Sequence, residues 1–532
     1  MVVNLRVSLI LAAVLCFAGN LAQAQRPNPR DLKPVAGIPA PPFGISEQPG
    51  AVTHYVNNQH AAATDSDNPN GTPDRPRMSI PSPLAAGAVV EVRGGPYEIR
   101  RGSWLAEGTR SAPAFIKGIS DPIIRGDRLV FGGSYFAVDG LVFDGISLVM
   151  ETRTSNFALR HSTVRNWRSA GHSAALVPAG SDIVIFGNEI HNNGDPNRAS
   201  EVDVHGIKVE RGAQRIWIVL NHLHHNGGDG IQLGNAMSLE PWPRHIYIAQ
   251  NVIHEDRENG VDIKKARDVI VAGNLIYGYE ARSSSSGEAI VTHDGAQWIW
   301  ILNNGIGASR LGVVSSGADQ YIVAGNVISG IKHHPEDATY DPASMYRAAG
   351  ILTYNTTNSI HLNNTIWDSD AGISYAGGTA STEIVNNIIG PLTQPSHQIA
   401  IGNSKALAAS VVSHNLIEGS VQLRMGGIKR GCNGAECRNE KVQVLQAPKD
   451  FRLNPGSPAI DAGMTHTIYE TFQRRYRLDM AYDLYGTSRP QGDGIDIGAV
   501  ESPAATPAAP NRIRQAPRSK AQPAVSARKP AG

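Results

Sequence analysis

One short segment type recurs along the chain, and this repeat constrains the fold more than any other feature. Each copy is an alternating apolar strand, then asparagine, then one residue, then an apolar residue. The separations between the asparagines, 33, 30, 23, 30, 22, 38 and 23 residues, give a minimal unit of 22 or 23 that inserted loops lengthen. Such a unit predicts one coil of a right-handed parallel β-helix, an all-β solenoid. The aligned asparagines are Asn188, Asn221, Asn251, Asn274, Asn304, Asn326, Asn364 and Asn387.

The asparagine column predicts a structural role. Asparagine can adopt a left-handed or bridging turn conformation, and its amide can hydrogen-bond with neighbours along a stack. We therefore interpret the column as part of the scaffold. The chemistry is expected elsewhere.

Both ends of the repeat region resemble parts of known proteins. Residues 54–99 resemble the opening of secreted bacterial β-helix proteins. The sequences NPGSPAIDAG and DLYGTSRPQGDGIDIGAVE, within 454–501, resemble the C-terminal segment that often follows such helices. Together with the repeats, they make the chain similar to the pectate-lyase-like β-helix superfamily over most of 54–501. This resemblance implies the fold but not the reaction, because lyases, hydrolases, epimerases and phage-type adhesins share the scaffold.

Composition divides the chain into five parts. Residues 1–24 have a basic start, an apolar run and the small-x-small signal Ala-Gln-Ala, which is the pattern of a secretory signal peptide. A Pro-rich segment, 25–53, precedes the predicted β-helix, 54–430. A C-terminal capping segment, 431–502, and a basic Pro- and Ala-rich tail, 503–532, which is predicted to be disordered, complete the chain. We expect a secreted or periplasmic monomer with no membrane span.

The overall charge does not indicate a nucleic-acid partner. Lys and Arg number 48 and Asp and Glu 47, so the chain is close to neutral. A long polar groove along parallel strands suits an extended polymer instead. We therefore expect an acidic, uronate-containing polysaccharide as the partner.

A second series of strands precedes the asparagine series and defines a candidate groove. If Ile207, Ile231, Val261 and Ile290 point inward, the alternate residues of these strands face solvent. Neighbouring coils lie about 4.8 Å apart, so the outward side chains form columns. The outward set that we interpret as functional comprises Lys208, Gln232, Asp262, Lys264, His293 and, further along, Tyr354.

Charged residues in this groove point to β-elimination from a uronate. That reaction needs a positive group at the substrate carboxylate, a base for the C5 proton and a donor for the leaving oxygen. Carboxylates bind Ca²⁺ well, and a lysine near a metal can act as a base if its pKa is lowered. We predict Asp229, Asp262 and Glu288 as Ca²⁺ ligands. Lys264 or Lys265 is then the base, with His293 as the donor.

The sequence GVDIKKARDVIVAGN, followed one coil later by GEAIVTHDGAQWIWILNN, is also loosely similar to the alginate and chondroitin lyase β-helix family. That family has an acidic pair, a lysine and, on the next coil, a basic residue beside His-Gly. Here the acid-to-lysine spacing is shorter, and Thr292 stands where the family has arginine. The base therefore stays open between Lys264 and Lys265.

Substrate contacts are predicted at Lys208, Gln232, Arg267 and Tyr354, with inserted loops at 236–243, 281–287 and 331–348 shaping the groove. Other functions stay open. A glycoside hydrolase needs two carboxyl groups, which Asp229, Asp262 and Glu210 could supply, although the paired motifs of the polygalacturonase family are absent. A uronate epimerase shares the first step of a lyase. A non-catalytic glycan-binding surface protein would use the groove without turnover.

Overall fold

The computed structural model describes residues 38–503 with internal gaps. The gaps are 198–201, 238, 283–284, 334–347, 377, 379, 394–398, 402–409, 419–422, 426–427, 431–436 and 440–449. The predicted signal peptide, residues 25–37 of the Pro-rich segment, nearly all of the tail and most of the 331–348 loop therefore lie outside the described residues.

Three parallel sheets run along the length of the chain, and each coil contributes one strand to each sheet in the order A, B, C. Sheet A contains Ser147–Met150, Ser173–Pro178, Val204–Val209, Ile231–Leu233, Val261–Lys264, Glu288–His293, Leu311–Ser316, Ala349–Tyr354, Ala371–Ala376, Ile399–Ile401 and Leu423–Met425. Sheet B contains His54–Asn57, Val89–Arg93, Ala114–Gly118, Ser155–Arg160, Ser181–Phe186, Gln214–Val219, Arg244–Ala249, Arg267–Ala272, Gln297–Leu302, Asp319–Ala324, Thr357–Leu362, Ala380–Val385 and Ser410–Ser413. Sheet C contains Val142–Asp144, Thr163–Arg165, Glu189–His191, His222–His224, Val252–His254, Leu275–Tyr277, Gly305–Gly307, Val327–Ser329, Thr365–Trp367, Ile388–Ile389, Leu416–Ile417 and Arg438–Asn439.

Three further strands complete the sheets at their two ends. Tyr97–Glu107 and Ile123–Asp139 are long strands that bend from one sheet into the next. The second of them pairs in turn with strands of sheets C, A and B. At the other end, Ile428–Arg430 pairs antiparallel with Leu423–Met425.

The predicted register of sheet A is confirmed. Ile207 pairs with Ile231, Ile231 with Val261, and Val261 with Ile290. These side chains are fully buried and form one stack of the interior. Burial of such aliphatic side chains contributes about 1.5–3 kcal/mol each, which makes a slip by one residue costly. The outward columns are therefore aligned as the sequence predicted.

The asparagine column is a continuous hydrogen-bonded ladder. In each step, the backbone N–H and the side-chain amide of one asparagine donate to Oδ1 of the next, as between Asn251 and Asn274 at 2.9 Å. Asn415, which the sequence analysis did not include, ends the series. The left-handed conformation belongs to the residue before each ladder position, for example Leu220 with φ 58°. That detail corrects the expectation that the asparagines themselves adopt it.

Within the described residues, the flanking segments pack on the outer faces of sheets B and C and not on that of sheet A. Near the N-terminus, the carbonyl of Pro39 accepts a hydrogen bond from the Trp217 indole at 2.8 Å. Near the C-terminus, helix α1, Ile468–Tyr476, packs Phe472 edge-on against Trp300. The segment predicted as a cap thus lies, where it is described, along the flank of the coils. Among the described residues, no helix is long and apolar enough to cross a bilayer.

One interior position carries a histidine, which gives a stability prediction. His361 lies between Val323 and Ile384 in sheet B, and neither ring nitrogen has a hydrogen-bond partner in the described structure. Burial lowers its pKa to about 3, whereas an unfolded histidine has a pKa of about 6.5. The unfolded state therefore binds the extra proton, and stability is lost as pH falls from about 6.5 towards 3.

We expect His361→Leu to increase the free energy of unfolding by about 1 kcal/mol at pH 8 and about 3 kcal/mol at pH 5. The gain at pH 8 comes from removing a polar ring that has no partner. Urea titrations at both pH values measure the two gains. An exposed control, His60→Ala, should show neither. An equal gain at both pH values would contradict the assigned protonation.

Candidate functional site

Three of the predicted residues form one contact cluster on the outer face of sheet A. Asp262 accepts from Lys264 Nζ at 2.7 Å through one oxygen and lies 2.8 Å from His293 Nε2 through the other. Lys264 and His293 are direct partners in the sheet register. On its second nitrogen, His293 lies 3.3 Å from Asp294. The carboxylate thus orients a cation and an imidazole side by side on the groove floor.

Electrostatics fix the charge states of this cluster. Burial alone would raise the pKa of Asp262, but the hydrogen bond from His293 and the charge of Lys264 lower it below its usual value. Burial opposes the charges on Lys264 and His293, yet nearby carboxylates raise the pKa of both. Asp262 is therefore ionised and Lys264 protonated at neutral pH. The lowered lysine pKa that a base requires is not present without additional positive charge.

Asp229 lies beside this cluster as a buried acceptor. Its two oxygens accept from Asn259, through backbone and side chain, and from the Gln232 amide at 3.2 Å. His205 Nδ1 is also 3.2 Å from Asp229. Gln232 lies between Lys208 and Asp262 in the sheet register, as predicted. Asp229 is thus a hydrogen-bonded support for the groove floor.

The predicted Ca²⁺ ligands do not form one set. Asp229, Asn259 and Glu288 occupy equivalent positions on three successive coils. The backbones of Asp229 and Glu288 are therefore two coil spacings, about 10 Å, apart. Ser285 Oγ donates to both Asn259 and Glu288 and links them. Both oxygens of Asp262 are used by Lys264 and His293. Glu288 therefore cannot share an ion with Asp229, because Ca²⁺ ligands lie 2.3–2.6 Å from the metal.

A different group of ligand atoms surrounds Asp229. His205, Asp229 and Glu258 are all buried and offer ligand atoms within 4.8 Å of one another. Ca²⁺ prefers oxygen, which Asp229 and Glu258 supply, whereas the His205 nitrogen is a poor ligand for it. Asp229 and Glu258 are therefore the buried carboxylates of this group that could hold a divalent cation, at a point where Asn259 and Gln232 already donate to Asp229.

Sequence reasoning missed Glu258 and Arg257. Arg257 is buried and lies 3.1 Å from Asp203 and 3.6 Å from Glu258, which fixes both acids next to the groove. The available signal was the charged stretch HEDRENG, which enters the strand Val261–Lys264 where GGDG enters the preceding one. Position in the coil, rather than residue type, could have identified Glu258.

Two predicted residues lie apart from the cluster. Lys265 follows the strand in a turn with φ 45°, beyond the last outward position, which Lys264 takes. Arg267 begins a strand of sheet B, pairs with Glu240 at 2.7 Å and lies over the Trp242 ring. Arg267 therefore contacts the inserted loop 236–243 and does not lie on the groove floor. Of the two candidate bases, Lys264 is the one beside His293.

Upstream of the cluster, the groove deepens into a cavity of about 570 Å³. Lys208 lies in its wall, 3.4 Å from Glu210. Trp167 and Arg128, which the sequence analysis did not single out, also line it. Arg128 is exposed and has no ion-pair partner within the described part of the chain. An aromatic ring and positive side chains suit an anionic sugar polymer.

Downstream, the same face becomes apolar. Val291, Val314 and Leu352 continue the Asp262 column and pack together. Tyr354 lies two coils beyond His293 in the next column and packs against this patch. On this face the Lys264–Asp262–His293 cluster thus lies between the cavity wall at Arg128 and Trp167 upstream and the apolar patch downstream, which Tyr354 borders.

Comparisons with known proteins agree with this architecture. The family model described as "Right handed beta helix region" matches residues 205–422. The fold is a right-handed parallel β-helix. No curated protein matches the sequence. Among solved structures, the PL6 family alginate lyase AlyGC is similar, with a TM-score of 0.50 and 15% identity, over 78% of this chain and 55% of that chain. The chain therefore spans about half the length of that lyase.

Two further solved structures have similar folds. The A-module of the Azotobacter vinelandii mannuronan C-5 epimerase AlgE4 has a TM-score of 0.38 and 15% identity, over 56% of this chain and 91% of that chain. The GH136 lacto-N-biosidase from Eubacterium ramulus has a TM-score of 0.38 and 12% identity, over 69% of this chain and 68% of that chain. At sequence identities this low, such similarity concerns the fold alone and not the function.

Proposed function

We propose that this protein cleaves an acidic, uronate-containing polysaccharide by β-elimination in the groove of sheet A, outside the cytoplasm. The observation that carries the proposal is the Lys264–Asp262–His293 cluster on the groove floor, where buried Asp262 holds the partly exposed Lys264 and His293. A cavity lined by Lys208, Arg128 and Trp167 lies upstream on the same face. The similar fold of an alginate lyase supports it.

The proposed reaction uses Lys264 and His293 on one sugar. Neutral Lys264 Nζ removes the C5 proton, the C4–O bond breaks as the C4–C5 double bond forms, and His293 gives a proton to the leaving oxygen. Asp262 keeps both groups in position. Burial opposes the charge on His293, but the hydrogen bond and charge of Asp262 raise its pKa, which favours the protonated ring that donates.

If Lys264 is to act as the base, positive charge is required near the neighbouring carboxylates. In the structure, Asp262, Asp229 and Glu258 keep Lys264 protonated, with its pKa raised. Ca²⁺ held by Asp229 and Glu258 would offset these carboxylates, lower the pKa of Lys264 and attract the substrate carboxylate. We therefore propose Ca²⁺ as the cofactor, with Asp229 retained from the predicted ligands and Glu258 added.

A glycoside hydrolase is less well supported by the same geometry. Its general acid must be a carboxyl group that reaches the glycosidic oxygen. Asp229 is fully buried and accepts hydrogen bonds on both oxygens, and Asp262 is ion-paired on both. Neither of these two carboxyl groups is free to act as that acid, and the third candidate, Glu210, lies in the cavity wall 3.4 Å from Lys208.

Ultraviolet absorbance of the unsaturated uronate product tests the proposal. We would incubate the mature protein with pectate, alginate and glycosaminoglycans, each with Ca²⁺ and with a chelator. We expect absorbance to rise on one polymer class, to fall at least about tenfold with chelator and to recover when Ca²⁺ is restored.

The remaining outcomes are distinct. Product formation that is unchanged by chelator would retain the lyase and reject the cofactor. New reducing ends without absorbance would indicate a hydrolase, and altered uronate stereochemistry without cleavage an epimerase. Binding to a polymer with no turnover would indicate a glycan-binding protein and would overturn the proposal.

A further inference from the structure

Sheet C carries a histidine-rich outer face, separate from the groove of sheet A. The sheet register places His191, His224, His254 and Tyr277 in one outward column on four successive coils. Glu189 and His222 form a neighbouring column. His225 and Glu255 follow in the turns with φ near 55°. We call this surface the histidine face and define it by six residues: Glu189, His222, His224, His225, His254 and Glu255.

Ring stacking explains part of this arrangement. His224 stacks on His254 with centroids 5.1 Å apart, and His254 stacks on Tyr277 at 4.8 Å, which is the coil spacing. Stacking does not require the ring nitrogens to point towards one another. However, His222 Nε2 lies 2.8 Å from His254 Nε2. His224 Nδ1 lies 2.9 Å from His225 Nδ1.

Carboxylates complete two ligand sets on this face. Glu189, His222 and His224 offer ligand atoms within 4.8 Å of one another, and so do His225, His254 and Glu255. Each set has two imidazoles and one carboxylate, which leaves a tetrahedral ion one position for water. In a tetrahedral zinc site, with Zn–N near 2.0–2.1 Å, two ligand nitrogens are about 3.3 Å apart. Within the first set, Glu189 Oε1 lies 3.9 Å from His222 Nδ1 and 3.5 Å from His224 Nε2. Within the second set, Glu255 Oε2 lies 3.9 Å from His225 Nε2 and 2.8 Å from His254 Nδ1, so the ligand atoms of both sets are separated by distances near that value.

We propose that the histidine face binds a transition-metal ion of the Zn²⁺, Ni²⁺ or Cu²⁺ class. Imidazole suits these ions, whereas Ca²⁺ and Mg²⁺ prefer oxygen. Each ligand set comes from two consecutive coils, so an ion bound at either set cross-links those two coils.

The site is independent of the proposed lyase activity, and its test does not use turnover. Tag-free mature protein, stripped with chelator, is dialysed against Zn²⁺ and its metal content measured by mass spectrometry. Co²⁺ loading followed by visible absorption reports tetrahedral coordination. We expect at least one Zn²⁺ per chain, intense Co²⁺ bands and a melting temperature higher by about 3 °C with Zn²⁺.

Two variants separate a metal site from a purely structural stack. His222→Ala/His254→Ala should lose the bound Zn²⁺ and the Co²⁺ bands, while the exposed control His60→Ala keeps both. Glu189→Gln/Glu255→Gln leaves every imidazole in place and should weaken Zn²⁺ binding at least about tenfold. Protein that retains no Zn²⁺ after dialysis, or double-histidine protein that retains as much as the control, would overturn the proposal.

Discussion

Lys264→Ala is expected to lower the rate of unsaturated uronate formation by at least about 1000-fold on the polymer that the protein cleaves. The variant removes the group that takes the C5 proton and leaves Asp262 and His293 in contact. Steady-state rates followed by ultraviolet absorbance, with Ca²⁺ present, give kcat and KM separately. We expect the loss mainly in kcat, because proton removal occurs in the transition state.

Lys265→Ala is the matched control, since it removes the same side chain from the adjacent position. Lys265 lies in the turn beyond the strand, so its loss should change kcat/KM by less than about threefold. Circular dichroism should be unchanged for both variants. A larger loss from Lys265→Ala than from Lys264→Ala would move the base to Lys265. Equal activity of Lys264→Ala and the unmodified protein would reject the proposed mechanism.

The fold was predictable because the period of the repeat can be counted directly in the sequence. The buried asparagine of each ladder coil and the inward Ile207, Ile231 and Val261 fix the register, because a slip by one residue would expose the apolar stack. The columns follow from that register. His361 was not predictable as a core residue, because its polarity argues for exposure although its position in the strand is inward.

The sequence predicted which side chains of the site share the outward columns, but it did not predict which of them contact one another. Strand alternation placed Lys264 beside His293 and Gln232 beside Asp262. Glu258 lies in a turn, where alternation no longer specifies direction, and was missed. Glu288 was included because its residue type and turn position match those of Asp229. The intervening coil separates the two carboxylates.

Asn274→Ala is expected to lower the free energy of unfolding by about 3–5 kcal/mol. The Asn274 side chain makes four buried hydrogen bonds, two received from Asn251 and two donated to Ile248 and Asn304. Removal leaves buried amide and carbonyl groups without partners, at about 1–3 kcal/mol for each stranded group. Urea denaturation followed by tryptophan fluorescence measures the loss.

Two further variants, Asn274→Asp and Asn197→Ala, test whether the loss comes from the hydrogen bonds of the ladder. Aspartate keeps the accepting oxygen but places a second oxygen against the Ile248 carbonyl and Asn304 Oδ1, so we expect at least the alanine loss. A carboxyl group is tolerated at Asp256 because Tyr279 donates to its second oxygen. Asn197 is exposed, and its alanine variant should change stability by less than about 0.5 kcal/mol. Similar stability of all three variants would mean that the ladder sets the register of the coils without contributing to their stability.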